Sequence, residues 1–309
     1  MLTSFFGKSA PLNYLLLTIL VGLAYIGVWY TGLLSPEAEL QWWQHLISIA
    51  CLVFAILLVD FIIRKNYLTE RHNYGIFIFS CLLLASPKIV WNFNVVVAFV
   101  FSMLAFRRII SLSSKKNTEK KLLDASIWIA LAGFFYPYAL GFILLLYAGM
   151  MLSGTLKFRY LMIPPIGIVA VLSILSSIHL LLYDDFKWLL ELEWKIGLDF
   201  RAYNEPYLYI STALILGLLI WLTLFRVLRL KKVKRKQRPT FLILTTAMIA
   251  SLLVAASAPV KDGSELLFVF GPLSMALAEY VQTREQHLIK EAFLWVFMLL
   301  PVLLILLQM

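Results

Sequence analysis

The sequence predicts an all-α, polytopic integral membrane protein with about eleven transmembrane helices. Three observations predict it. Of the 309 residues, 62% are hydrophobic and only 14% are charged, where a soluble domain carries about a quarter. Apolar runs approaching the roughly 20 residues needed to cross a bilayer recur along the whole chain. Aromatic residues make up 15%, which suits a chain with many rings at membrane interfaces.

The expected spans are 13–33, 43–63, 73–86, 92–106, 124–136, 138–154, 160–183, 206–227, 240–257, 265–281 and 291–308. The first starts at Asn13 and lacks a small-residue cleavage site before the next polar segment, so it reads as a retained span and not a signal peptide. No polar segment is long enough to fold alone, and residues 1–309 form a single transmembrane domain. Within it lie an outer amphipathic segment at 184–205 and a basic linker at 229–239. Cys51 and Cys81 both fall inside apolar runs and imply buried thiols rather than a disulfide framework.

Charge orders these spans. The net charge of +10 could suggest nucleic acid, but the basic residues sit in short linkers beside apolar runs, which is the pattern of membrane topology. A cytoplasmic N-terminus places 22 of the 27 Lys and Arg on the inner side, leaving Lys88, Lys187, Lys195, Arg201 and Lys261 outside. Ten of the 17 acids fall outside and seven inside, so the inner side carries 22 − 7 = +15 and the outer side 5 − 10 = −5. The C-terminus is then periplasmic, in a bacterial inner membrane.

Ala125 to Leu156 is free of charge and lies between Lys120/Lys121 and Lys157/Arg159. A single crossing would put one basic flank outside and invert every later loop, so a chain that goes out and returns is expected, with one long helix kinked at Pro137 as the alternative. Each half then has about 13–16 residues, roughly 20–24 Å of helix. Pro137 removes a backbone donor and restricts Tyr136, which sets the turn there. The segment 73–106 repeats this arrangement between Arg71 and Arg107, with its break in "ASPKIVWN". Two short Pro-broken hairpins are therefore expected. Pro36, Pro206 and Pro259 mark other outer ends, and Pro272 and Pro301 lie within spans.

The outer segment "LLYDDFKWLLELEWKIGLDFRAYNEP" has Lys187, Glu191, Lys195 and Asp199 at every fourth position. Opposite charges at that spacing support one helix face. Leu189, Leu192, Ile196 and Phe200 form another face, with Trp188 and Trp194 as interfacial anchors. An amphipathic helix lying on the outer surface, as a rim or as a lid, is expected.

Chemical candidates are few. His45 and His179 fall outside, His72 and His287 inside, so the four cannot form one metal site, and no metal or other cofactor is expected. Metalloprotease, phosphate-loop, dinucleotide and nucleophile-elbow motifs do not occur. The remaining reactive groups are outer carboxylates: Glu37 and Glu39 in "SPEAEL", Asp184 and Asp185, and Asp262 and Glu265 in "KDGSE". Such an acid can serve as a general base toward a polar acceptor. Lys88 and Arg201 can meet an anionic phosphate, and Tyr136 and Tyr138 can line the recessed turn. The simplest reading of each charge is a solvated loop residue. Asp60, four residues before Arg64, reads as a structural pair, and Glu279 is an acid near the inner end of its span. The tract "LKKVKRKQRP" reads as a retention anchor that attracts anionic headgroups.

The segments "FFGKSAPLNYLLL", "KLLDASIWIALAGFFYPYALGFILLLYA" and "VFGPLSMALAEYVQTREQHLIKEAFLW" resemble a family of multi-span inner-membrane proteins of Flavobacteria and other Bacteroidota, over nearly the whole chain. That resemblance implies a location and supplies no chemistry. In architecture, the short hairpins and "ALAGFFYPYALGFILLL" resemble membrane glycosyltransferases that use polyprenyl-phosphate sugars. Those enzymes carry an essential acid in the first outer loop, usually as an acidic pair. The resemblance implies Glu37 and Glu39 in that role, with Lys88, Arg201, Asp184, Asp185, Tyr136 and Tyr138 toward substrate.

Three functional readings follow. Handling of a polyprenyl-phosphate-linked substrate predicts a lipid-accessible outer cavity. A transporter or permease predicts a midplane site made by broken helices. An assembly component of an envelope complex predicts an exposed apolar groove. The partners are membrane lipids, a polyprenyl-phosphate-linked substrate or other envelope proteins, and no nucleic acid.

Overall fold

Why these residues form helices is visible at their ends. The computed structural model describes residues 1–33, 40–184, 197 and 200–306, and every regular element among them is helical. A short α1 (Leu2–Phe6) precedes α2 (Pro11–Thr31), which opens with proline at its first position and closes on Gly32 at φ 64°, the left-handed cap that glycine adopts without strain. Gln41 and Gln44 form a capping box at the start of α3 (Trp42–Lys65), and Arg64 and Lys65 end it, where cations favour the helix dipole. There follow α4 (Tyr74–Leu84), α5 (Phe93–Ile110), α6 (Thr118–Phe135), α7 (Phe142–Leu152), a short α8 (Phe158–Leu161), α9 (Ile163–Tyr183), α10 (Pro206–Arg229), α11 (Arg238–Ala256), α12 (Leu267–Gln282) and α13 (His287–Leu306).

All eleven expected spans thus coincide with helices. Eight of these are long and apolar enough to cross a membrane: α2, α3, α5, α9, α10, α11, α12 and α13. The other three are α4 and α7, with 11 residues each, and α6, which carries Glu119, Lys120, Lys121 and Asp124 in its first two turns. The linker between α10 and α11 is a 3-10 turn over Leu230–Lys232 followed by residues 233–237.

Both short hairpins reverse direction. In the first, α4 stops before a 3-10 turn at Pro87–Trp91 and α5 returns. Its two ends meet the same end of α3. A Cβ at Gly75 would lie within reach of Ile63, and Arg107 lies 4.6 Å over the Phe61 ring. In the second, Tyr136 is extended and Pro137–Gly141 is again a 3-10 turn. A Cβ at Gly133 would lie 2.5 Å from Leu140, seven residues on, a separation that a continuous helix would stretch to about 10 Å. A Cβ at Gly149 would lie 2.6 Å from Ile109, beside the start of α6. Residues 125–156 are therefore two antiparallel helices and not one kinked helix.

The bundle sorts by burial. The span that contains α12 is 94% buried, whereas that of α9 is 17% buried. α12 is apolar all round, as a helix enclosed by others must be, and packs on α4, α5 and α11. Peripheral helices present apolar side chains outward, such as Leu23 on α2, Ile166 and Ile174 on α9, and Leu224 on α10. Apolar outer faces on a helical bundle are what a bilayer stabilises.

One end of the bundle collects the basic flanks. The N-terminal ammonium meets Glu291 at 2.8 Å, Arg64 bonds Tyr14 and Ser9, and Gln282 accepts from the Glu70 N–H at 3.0 Å. α13 starts at this end and runs to the opposite one, where Leu300 and Leu304 pack with Ala85. The start of α1 and the end of α13 therefore lie at opposite ends.

Candidate functional site

At the opposite end, two turns of sequence meet. Gly263 takes φ 93°, a left-handed conformation that suits glycine, and directs its N–H to Glu265 Oε2 at 2.8 Å. That turn places Glu265 at the head of α12 with 1% exposure. Tyr203, from the 3-10 turn Arg201–Asn204, donates its hydroxyl to Glu265 Oε1. Asp262 accepts from Asn92 Nδ2 at 2.8 Å and from the Ser264 hydroxyl at 2.7 Å. The break before α5 is thus tied to the start of α12. Burial raises the Tyr203 phenol well above its usual range, and the Glu265 carboxylate adds to the effect.

Lys261 is 3% exposed. Its ammonium donates to Ala255 O at 3.0 Å and to Ala256 O, capping the final carbonyls of α11, and lies 5.2 Å over the Phe200 ring. Burial lowers its affinity for the proton, and Glu265 opposes that shift. Below it opens a cleft of about 370 Å³ between α10 and α11. Ala213, Leu216, Leu252 and Ala256 line its length, and Tyr203 and Lys261 stand at its polar end. The positions run from the loops down about two helical turns, or roughly 10 Å.

The expected site residues separate. Lys88 shares a narrow crevice with Asp262 and Gly263, so the turn of the first hairpin reaches the KDGSE turn. Arg201 is exposed at the start of the turn that carries Tyr203. Tyr136 stacks on Phe268 at 5.4 Å and lies 5.4 Å from Tyr138, next to the first turn of α12, just after Glu265. Tyr138 is buried, and both rings pack against the core. Asp184 closes α9 at φ 55° and lines neither cleft nor crevice. Glu37, Glu39 and Asp185 lie outside the described residues, as does the amphipathic segment apart from residues 184, 197 and 200–205.

One expectation of a solvated charge is corrected. Glu265 is buried and engaged, because Gly263 turns the chain back into the bundle, and Lys261 beside it is buried as well. The partner Tyr203 escaped sequence reasoning altogether, since it lies some 60 residues away. The signal available was modest: "KDGSE" runs straight into an apolar helix, so Glu265 stands within two residues of an enclosed segment.

His45 is also buried at this end. It stacks on Trp29 at 4.5 Å and shares a hydrogen bond of 3.0 Å with the Tyr25 hydroxyl, which donates to Val90 O. It is a packed bridge between α2, α3 and the first hairpin turn. Among the described residues, no three His, Cys, Asp or Glu side chains gather in a metal-binding group.

At the basic end the charges are paired more loosely. Asp60 and Arg64 form the expected i, i+4 pair at 2.6 Å. Glu279 is engaged by Arg226, which is 2% exposed and also donates to Thr245 Oγ1 at 2.9 Å and Phe241 O at 2.8 Å. Glu279 thus has a structural partner on α10.

The chain belongs to a family of unknown function (DUF6427), whose profile matches residues 13–309. No curated protein and no solved structure matches it.

Proposed function

We propose that this family member is a bacterial inner-membrane protein that binds an anionic lipid carrying a long apolar tail, of the polyprenyl-phosphate class, at its periplasmic end. The observation that carries this reading is the cleft between α10 and α11. Its walls are apolar and it ends on the buried ammonium of Lys261 beside Tyr203. An ammonium has three N–H donors, and two meet the α11 carbonyls. Among the described residues the third meets no acceptor and is offered to a phosphate oxygen, while the tail lies along Leu216 and Leu252. A cleft of this volume falls within the usual range for small-ligand sites, about 300–1,000 Å³.

The orientation follows from the charge distribution: the end with +15 faces the cytoplasm and the cleft faces the periplasm. The eleven-crossing topology is part of this proposal, with α4, α6 and α7 as short crossings supported by their neighbours. The transferase reading adds Glu37 and Glu39 as the acids that would activate an acceptor near a lipid held in the cleft. Charged side chains gather at the two ends, and buried polar residues between them include the uncharged Ser48, Ser80 and Ser102. That arrangement favours lipid handling over an ion-coupled midplane site.

The test is binding of undecaprenyl phosphate to the full chain in nanodiscs of neutral lipid, read by native mass spectrometry. Leu216→Trp should fill the cleft and abolish retention, and Lys261→Met should weaken it by about tenfold, the scale of a lost charge-assisted hydrogen bond. Wild-type retention that neither substitution changes would rule the cleft out. If binding is established, an intact transfer activity in both Glu37→Gln and Glu39→Gln would reject the catalytic role of that loop.

A further inference from the structure

A strongly basic cavity lies at the other end of the bundle and plays no part in the lipid reading. A pocket of about 520 Å³ opens where the end of α3, the end of α5, the start of α6 and the start of α11 converge. Five basic side chains line it: Lys65, Arg107, Arg108, Lys121 and Lys236. Ser111, Ser113, Ser114 and Thr240 add hydroxyls, and no carboxylate stands in the lining. Nearby acids are already committed. Asp124 holds Arg108 at 2.8 Å, Glu119 holds Arg159 at 3.5 Å, and Asp60 holds Arg64 at 2.6 Å. Among the described residues, neither Arg107 nor Lys121 forms an ion pair.

The pocket is a built feature and not a loose fringe of lysines. Arg107, Arg108 and Lys121 are half-buried. The Arg107 guanidinium lies 4.6 Å over the Phe61 ring, a cation–π contact that holds it at the pocket. The Lys121 ammonium donates to Ser111 O at 2.6 Å and to Ser114 Oγ at 2.7 Å, which holds it at the mouth of the 3-10 turn after α5. Thr240 donates to Ser113 at 3.1 Å, joining α11 to the same turn. Holding like charges together costs free energy that a polyanion would relieve, and partial burial weakens the screening that salt provides.

We propose that this pocket is a binding site for a phosphate-bearing anion with at least two negative charges. Arg107 and Arg108 present planar donors to phosphate oxygens, Lys121 supplies a point charge, and the hydroxyls complete the shell. A lipid headgroup of the inner leaflet and a soluble phosphate ester share this chemistry.

Two arms of one experiment separate these sources. The full chain is placed in neutral nanodiscs and titrated with inorganic pyrophosphate by calorimetry. In the second arm it is placed in nanodiscs containing cardiolipin, whose headgroup carries two phosphates, and retained lipid is counted by native mass spectrometry. Arg107→Gln with Lys121→Gln should weaken binding by about tenfold or more. The charge-matched pair Lys116→Gln with Lys120→Gln, on exposed positions outside the lining, should leave it within about twofold. Loss confined to the first arm assigns a soluble ester, loss confined to the second assigns a headgroup, and loss in both supports the shared site. Equal loss in the two double variants, or no binding by the wild type in either arm, overturns the proposal. Should the first pair fail to fold, Lys65→Gln with Lys236→Gln at the exposed rim gives the same comparison.

Discussion

The two ends of the bundle hold charge in opposite ways. At the end with the KDGSE turn, Glu265 and Lys261 are almost wholly enclosed. Each is satisfied by backbone groups and one aromatic neighbour. At the basic end, charges are many and mostly exposed, and a single arginine, Arg226, is taken fully inside. The difference teaches that abundance of charge and energetic weight of charge are separate quantities. Exposed groups set topology through the membrane field and surface potential, while enclosed groups act through the cost of leaving them without a partner.

The largest test of that contrast is at Arg226. Glu279→Gln leaves its guanidinium enclosed without a counter-charge, and the expected loss is about 3–5 kcal/mol of stability, measured by unfolding of the purified chain in detergent. The double substitution Arg226→Met with Glu279→Leu should recover most of it, since an apolar pair of similar volume removes both desolvation penalties. Failure of that recovery would show that the pair is needed for packing as well as charge. At the opposite end, Glu265→Ala strands the Tyr203 hydroxyl and the Gly263 N–H, with an expected cost of about 1–3 kcal/mol. A loss near zero there would mean that the KDGSE turn is not the enclosed element described above. The smallest effect belongs to the exposed pair Glu119–Arg159, whose side chains are 48% and 79% accessible. Glu119→Gln should change stability by less than about 1 kcal/mol, and any change should shrink with added salt.

The fold was legible because the bilayer imposes simple rules. Lys120/Lys121 and Lys157/Arg159 flank the charge-free stretch on the same side, and Pro137 cannot continue a helix. Together these favoured a return, and the approach of Leu140 to Gly133 shows it. The same reasoning located the break at Pro87 and the Asp60–Arg64 pair. The candidate sites were less legible. Lys88 does lie in the turn of the first hairpin, but its neighbours Asp262 and Gly263 come from a segment about 170 residues later. Tyr203, which satisfies Glu265, has no local signature.

By itself, then, the sequence determined the helical class, the places where the chain turns and the end of the bundle that gathers positive charge. Each of these depends on periodicity, proline geometry and local charge, which act over a few residues. Tertiary structure alone decided which helix is enclosed, that Glu265 and Lys261 are drawn inside, and that Arg107, Lys121 and Lys236 surround one pocket. Those outcomes depend on contacts between segments far apart in the chain. A side chain's burial and partners are set by the helices that happen to pack beside it, and no short window of sequence contains them.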